Sequence, residues 1–273
     1  MIPFRLAAVD LDDTLLGPDK AISRANYVAV HRLVNAGVQV VLASGRRHEN
    51  MRRFRHELGL QSGWIVSCNG AMARNDDTGE TLWEQLLPQD LVGAILADGE
   101  DFGVTQNFYH RHGDLFVNAT NEWTAIYVSR TKSEVTAVPN ILSLSGDQAL
   151  KIIWVTAAEN ALALGDVMRE KHGETALSIV ITDPEYLEFM AHGVNKATGL
   201  AHVAARLGIE ARECLAFGDG NNDVEMLQWA GLGVAMPHAR LAARQAADVL
   251  MPDGDPETAF AAAVAMVFAQ YAL

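Results

Sequence analysis

The 273-residue chain is 49% hydrophobic and 20% charged, enough apolar material for one large or two modest domains without disorder or a disulfide framework. Its 34 acidic residues outnumber 21 basic ones, and the formal net charge of −13 opposes binding to a nucleic-acid backbone and makes any phosphorylated ligand depend on a local cation. No run approaches the ~18 apolar residues of a membrane span, and Asp10 and Asp12 arrive before a signal-like stretch develops, so a cytoplasmic protein with no membrane partner is expected.

In chain order, Leu6 to Leu11 is a short apolar run of the kind buried in parallel sheets. Ser23 is placed to cap a helix carrying Ala25, Ala29, Leu33 and Ala36, which Gly37 ends. Val38 to Ala43 reads as the next buried strand. A helix with Met51, Phe54 and Leu58 on one face stops at Gly59, and Trp64 to Ser67 supplies a third strand. This βαβαβ order predicts a doubly wound sheet.

From about Trp83 to Ala191 the pattern changes. The strand candidates Val104 to Tyr109, Leu150 to Val155, Leu177 to Thr182 and Tyr186 to Met190 mix polar and apolar positions, between helices near Gln89 to Ala97 and Ala158 to His172. Such alternation predicts a sheet with one open face. Helix–strand alternation then returns with Lys196 to Leu207, Leu215 to Phe217, Val224 to Trp229, Gly233 to Ala235 and alanine-rich helices after Leu241 and Glu257. The expected fold class is α/β, a doubly wound parallel-sheet core of residues 1–83 and 192–273 with a second α/β domain inserted over residues 84–191. Cys68 and Cys214 sit in or beside apolar runs, which favours buried thiols over a disulfide.

The chemistry concentrates where predicted strands end. Asp10-Leu11-Asp12-Asp13-Thr14 closes the first, and alternate side chains of a strand share a face, so Asp10 and Asp12 can point together at the sheet's carboxyl edge. Paired carboxylates are costly unless a cation or proton lies between them. Ser44-Gly45-Arg46 ends the second strand, Gly218-Asp219-Gly220-Asn221-Asn222-Asp223 ends the strand Leu215 to Phe217, and Lys196 opens the helix before that strand. A parallel sheet gathers these carboxylates, the hydroxyl, the ammonium and glycine-permitted N–H groups at one edge.

In these four motifs and their order the sequence resembles the haloacid dehalogenase superfamily, specifically the Cof-type phosphatases with a large inserted cap. The matching residues are Asp10, Asp12 and Thr14; Ser44, Gly45 and Arg46; Lys196; and Gly218, Asp219, Asn222 and Asp223. The resemblance implies a HAD-like Rossmannoid core and a Mg²⁺-dependent phosphatase acting on a small phosphorylated metabolite, a sugar phosphate or a phosphorylated cofactor intermediate. It implies Asp10 as nucleophile and Asp12 as general acid and base, a role that needs a carboxyl pKa raised toward working pH. Mg²⁺ is implied at the Asp10 and Asp219 carboxylates and the Asp12 backbone carbonyl, with Asp223 supporting the metal shell and orienting Lys196. Ser44 and Lys196 are implied to grip the phosphoryl oxygens. Thr14 is read as a phosphate contact or a brace for the Asp10 loop, and Asn222 as a phosphate contact or a loop residue.

Plainer readings stand beside these. Ser44 also suits a helix cap, Lys196 an exposed helix position, and Asp223 a first-turn acid. Asn69-Gly70, Gly45 and Arg46 are candidate substrate contacts, although Asn-Gly is first a turn signal. Arg52, Arg53 and Arg55 read as a solvated helix face. His110, His112 and Asp114 read as an exposed loop rather than a zinc site, and Trp123, Tyr127 and Trp154 as packing residues. Three positions depart from the family pattern: Asp13 for a common glycine, His192 for a common proline, and Met236-Pro237-His238-Ala239 for Met-x-Asn-Ala. A phosphomutase of the same superfamily and a non-catalytic phosphoryl-receiver or binding protein are the rival functions. The oligomeric state is not legible in the sequence.

Overall fold

The computed structural model describes residues 2–172 and 175–271. In chain order these form β1 (Leu6–Val9), α1 (Arg24–Asn35), β2 (Gln39–Ala43), α2 (His48–Glu57), β3 (Trp64–Ser67), β4 (Met72–Asn75) and β5 (Thr81–Glu84). Then come α3 (Gln89–Asp101), β6 (Thr105–His110), β7 (Leu115–Val117), α4 (Glu122–Thr131), β8 (Thr136–Ala137), β9 (Ala149–Val155), α5 (Ala158–His172), β10 (Leu177–Ile181) and β11 (Tyr186–Ala191). The chain closes with α6 (Lys196–Leu207), β12 (Cys214–Gly218), α7 (Val224–Trp229), β13 (Leu232–Ala235), α8 (Leu241–Ala246), β14 (Val249–Leu250) and α9 (Ala259–Tyr271). Two compact units result, Met1–Trp83 with Asn195–Leu273, and Glu84–Val194. His192 to Val194 stay with the second unit because Gly193 N–H donates to Ser178 Oγ at 3.1 Å and Val194 N–H to the Ala191 carbonyl at 3.1 Å.

The first unit is an eight-stranded sheet in the order β14-β13-β12-β1-β2-β3-β4-β5, and β14 through β3 pair in parallel. Along β1 the side chains alternate between two cores. Ala7 and Val9 join Val40, Leu42, Leu215 and Phe217 under α1, α2 and α9, while Leu6 and Ala8 join Val41, Ala43 and Ala216 under α6, α7 and α8. Burial on both faces explains why β1 and β2 read as continuous apolar runs. Each fully buried leucine in these cores contributes about 2 kcal/mol of transfer free energy.

The helices start and stop for local reasons. Ser23 caps α1 by accepting from Asn26 N–H at 3.2 Å. Asn195 caps α6 in a reciprocal box with Thr198, and Gly208, with φ +65°, ends it. Met51, Phe54 and Leu58 form the buried face of α2, as their spacing predicts. Arg55 does not share the solvated face expected for Arg52, Arg53 and Arg55: it is buried and pairs with Asp76 and Asp77 in the turn between β4 and β5. The arginine lies one turn from Met51 on the inward side, where only the acidic turn makes its charge tolerable.

His48 opens α2 from a buried position, and burial together with the nearby Arg74 charge lowers its pKa from 6.5 to about 4. A depressed folded value means that His48 contributes stability above pH 6.5, lost as pH falls toward 4. The full span amounts to about 3 kcal/mol. His48→Gln is therefore expected to narrow the gap between the melting temperatures at neutral and mildly acidic pH, measured by calorimetry. An unchanged gap assigns the acid sensitivity elsewhere.

The second unit holds a six-stranded sheet, β10-β11-β9-β6-β7-β8, antiparallel except for β7 with β8. One face, with Phe108, Ile152, Trp154, Leu187 and Phe189, packs on α3 and α5. The opposite face was expected to be open and is not. Asn107, Lys151 and Glu188 are 0%, 1% and 3% exposed. Lys151 pairs with Glu188 at 2.6 Å, and Tyr109 hydrogen-bonds Tyr127 from α4, a helix with no clear apolar stripe in the sequence. Polar alternation here records a buried polar network, not solvent. Trp154 and Tyr127 are buried as packing residues and Trp123 is half-buried. Among the described residues no helix is long and apolar enough to cross a membrane.

Candidate active site

Asp10 stands immediately after β1, and its N–H donates to the Phe217 carbonyl of β12 at 3.0 Å. Asp219 immediately follows β12, so two adjacent parallel strands deliver both carboxylates to the same edge. The capped start of α6 delivers Lys196, which is fully buried. Its Nζ lies 2.5 Å from Asp10 Oδ1 and 2.6 Å from Asp223 Oδ1. Asp223 Oδ2 accepts from the N–H groups of Asp219 at 2.9 Å and Gly220 at 2.8 Å, which folds the loop back on itself. Thr14 Oγ donates to Asp219 Oδ1 at 2.9 Å. The exposed-helix reading of Lys196 is thus wrong, whereas Asp223 is a first-turn acid of the short helical turn leading into α7, and both are interior members of one charged cluster.

Ser44 follows β2, the other neighbour of β1, and is 2% exposed. It does not cap α2, which begins at His48; its Oγ accepts from Arg46 N–H at 3.2 Å. Arg46 is buried and grips Asp12 with two hydrogen bonds of 2.7 Å, while Lys20 approaches the same carboxylate at 3.5 Å. Desolvation works to raise the Asp12 carboxyl, but Arg46 and Lys20 outweigh it and hold the group below its ordinary value. This departs from the raised pKa expected of a general acid. Spacing along the chain gave no sign that Arg46 reaches back to Asp12, and Lys20 carried no signal at all.

Asn222 Nδ2 donates to Asn69 Oδ1 at 2.8 Å, so these two candidate ligand contacts are bonded to each other. Gly45 and Gly70 lie in the same cluster of loops. His238, one of the departures, reaches the Asp13 carbonyl at 2.5 Å, and Asp13 has φ +61°, a left-handed backbone that explains the common glycine there. His110 and Asp114 approach only to 4.0 Å, and the described residues place no His/Asp metal cluster there. Cys68 and Cys214 are both buried, and among the described residues neither is in a disulfide.

The electrostatics of the cluster are those of a cation site. Ligand oxygens of Asp10, Asp219 and Asp223 all lie within 4.8 Å of one another. Burial raises the Asp10 carboxyl well above its ordinary value, with the Lys196 charge opposing and the other aspartates reinforcing. Burial and the Asp223 charge push Asp219 up to about 7. Three close carboxylates with a single ammonium are an uncompensated negative charge in a desolvated place. An all-oxygen donor set of this kind fits a hard divalent ion.

Comparison with known proteins agrees with this geometry. The family model for haloacid dehalogenase-like hydrolases matches residues 7–262. The HMP-PP phosphatase of Serratia proteamaculans is 29% identical over 238 residues, covering 86% of this chain and 85% of its own. The 5-amino-6-(5-phospho-D-ribitylamino)uracil phosphatase YitU of Bacillus subtilis is 28% identical over 253 residues, 89% and 90% of the two chains. The crystal structure of a haloacid dehalogenase-like hydrolase from Bacteroides thetaiotaomicron superposes with a TM-score of 0.85 at 25% identity, covering 97% of this chain and all of that one. With the strand order, the acidic cluster and a family match over most of its length, the chain belongs to the haloacid dehalogenase-like hydrolases, among phosphatases.

Proposed function

We propose that this chain is a Mg²⁺-dependent phosphatase that cleaves a small phosphomonoester through a phosphoryl group carried on Asp10. The observation that supports it is the convergence of Asp10, Lys196, Asp219 and Asp223, residues remote in sequence, at one edge of the parallel sheet. Asp10 and Asp219 carboxylates and the Asp12 carbonyl would hold the ion. Asp223, with one oxygen on Lys196 and the other on two N–H groups, orients the lysine. When bound, the ion supplies positive charge that offsets repulsion between a carboxylate and a phosphate dianion.

In the reaction Asp10 Oδ forms a bond to phosphorus as the bond to the leaving oxygen breaks, giving an acyl phosphate. Lys196 Nζ and Ser44 Oγ donate to the phosphoryl oxygens, and Asp12 supplies a proton to the leaving oxygen. Water then attacks phosphorus, Asp12 takes its proton, and inorganic phosphate and the Asp10 carboxylate are restored. In the ion pair with Arg46, Asp12 is ionised, so its acid role requires that it first part from the guanidinium and take up a proton. The names of the two relatives, an HMP-PP phosphatase and a 5-amino-6-(5-phospho-D-ribitylamino)uracil phosphatase, support a small phosphorylated metabolite as substrate. The net charge of −13 disfavours nucleic acid.

Release of p-nitrophenol from p-nitrophenyl phosphate is expected with Mg²⁺, is expected to stop in excess EDTA, and is expected to return when Mg²⁺ is restored. Mg²⁺ is also expected to raise the melting temperature of the wild type and not of Asp219→Asn. Equal turnover in EDTA removes the metal-dependent reading.

A further inference from the structure

Cys68, Asn69 and Gly70, the turn after β3, all have left-handed backbone, with φ of +51°, +54° and +94°. Non-glycine residues persist in this region when their surroundings over-determine them, and asparagine tolerates it better than most. The surroundings here are the segments that carry the proposed catalytic groups. Cys68 N–H donates to the Arg46 carbonyl at 2.9 Å and Asn69 N–H to the Ser44 carbonyl at 3.0 Å. Asn69 is 1% exposed, and a Cβ on Gly45 would lie 2.8 Å from its Oδ1. That same Oδ1 accepts from Asn222 Nδ2 at 2.8 Å, in the loop between Asp219 and Asp223. A Cβ on Gly70 would lie 1.9 Å from the Asn195 carbonyl, so the turn also sits directly against the residue preceding Lys196.

One buried turn therefore touches the segments bearing Ser44, Lys196 and the Asp219–Asp223 pair, and Asn69 alone links two of them through its main chain and its side chain. We infer that Asn69 is a positioning residue that fixes the spacing of Ser44 relative to the metal-side loop, acting through Asn222 rather than by touching substrate. The inference rests on the phosphatase reading. Its physical basis is that a phosphoryl group must meet the Ser44 hydroxyl, the Lys196 ammonium and the Asp10 oxygen in one geometry, which small displacements spoil.

The test is a double-variant cycle on p-nitrophenyl phosphate with saturating Mg²⁺, using wild type, Asn69→Gly, Asn222→Ala and the combined variant. Glycine accepts the left-handed backbone, so Asn69→Gly removes the side-chain link without imposing a new strain. Each single change is expected to lower kcat per folded molecule on the order of 10- to 100-fold with KM unchanged. The combined variant is expected to be no slower than the slower single one, because both changes cut the same link. A raised KM with unchanged kcat in Asn69→Gly makes the residue a ground-state substrate contact and overturns the inference. So do multiplying effects in the combined variant, or full kcat in the folded fraction of a variant that is merely less stable. Absence of turnover in the wild type removes the phosphatase reading and this inference together, whereas an active wild type with unaffected variants removes only the role of Asn69.

Discussion

Asp10→Asn is expected to lower p-nitrophenyl phosphate turnover by roughly 10³-fold or more, because an amide oxygen of the same shape cannot form the acyl phosphate. The change is close to isosteric, and the amide oxygen still accepts from Lys196, so a damaged fold is not the expected cause. The metal-free stability should move the other way. Burial and the neighbouring Asp223, Asp219 and Asp12 raise the Asp10 carboxyl, despite Lys196. A raised folded value means that its contribution is present at low pH and lost as pH rises through that value. Replacing the carboxyl by an amide should therefore raise the melting temperature in EDTA relative to wild type by an amount that grows as pH rises through that value, while activity disappears. Turnover equal to wild type excludes Asp10 as the nucleophile, and mass spectrometry of quenched enzyme for a phosphorylated Asp10 gives the positive half of the same test.

Lys196→Met is expected to fail in both respects. The lysine is fully buried between two carboxylates at 2.5 and 2.6 Å. Methionine has a similar length and no charge, so Asp10 and Asp223 are left buried without their partner, at a cost of about 3–5 kcal/mol. Loss of a donor to the phosphoryl oxygens adds on the order of 10²- to 10³-fold in kcat. Although burial disfavours its charge, Asp10 and Asp223 hold the Lys196 pKa above 10.5, so its contribution is complete below that pH and lost as pH rises through the folded value. The melting gap between wild type and variant should be widest at neutral to mildly alkaline pH and shrink in acid, where the orphaned Asp10 carboxyl takes up a proton. A gap of the same size at every pH rules out the ion-pair account.

The fold was legible where local pattern and tertiary burial ask for the same thing. The runs around Ala7, Val41 and Ile65 are apolar because both faces of their sheet are covered, and continuous apolarity is visible in one dimension. The opposite face of the second sheet was misread because Lys151 and Glu188 look like solvent residues until their 2.6 Å pairing is seen. The site divides along the same line. Asp10, Ser44, Lys196 and Asp219 stand at strand or helix ends, where sequence position implies spatial position. Arg46 holding Asp12, Asn222 bonded to Asn69 and Thr14 on Asp219 depend on how loops remote in the chain fold over one another. No periodicity encodes that. The exposed reading of Arg55 failed for a related reason, since its acidic partners lie 21 and 22 residues further on.

Asp13 occupies a left-handed backbone position, and its loop has two tethers, one to Lys20 within the same stretch of chain and one to the remote His238. Its carboxylate accepts from Lys20 at 2.8 Å and its carbonyl meets His238 at 2.5 Å. The segment bearing Asp12 is thereby anchored twice, and only the Lys20 tether depends on the Asp13 side chain. Chimeras assembled from this chain and its relatives should therefore treat positions 13, 20 and 238 as one inherited block. Exchanged singly, position 13 would trade conformational ease in the first loop against the loss of its Lys20 fastening.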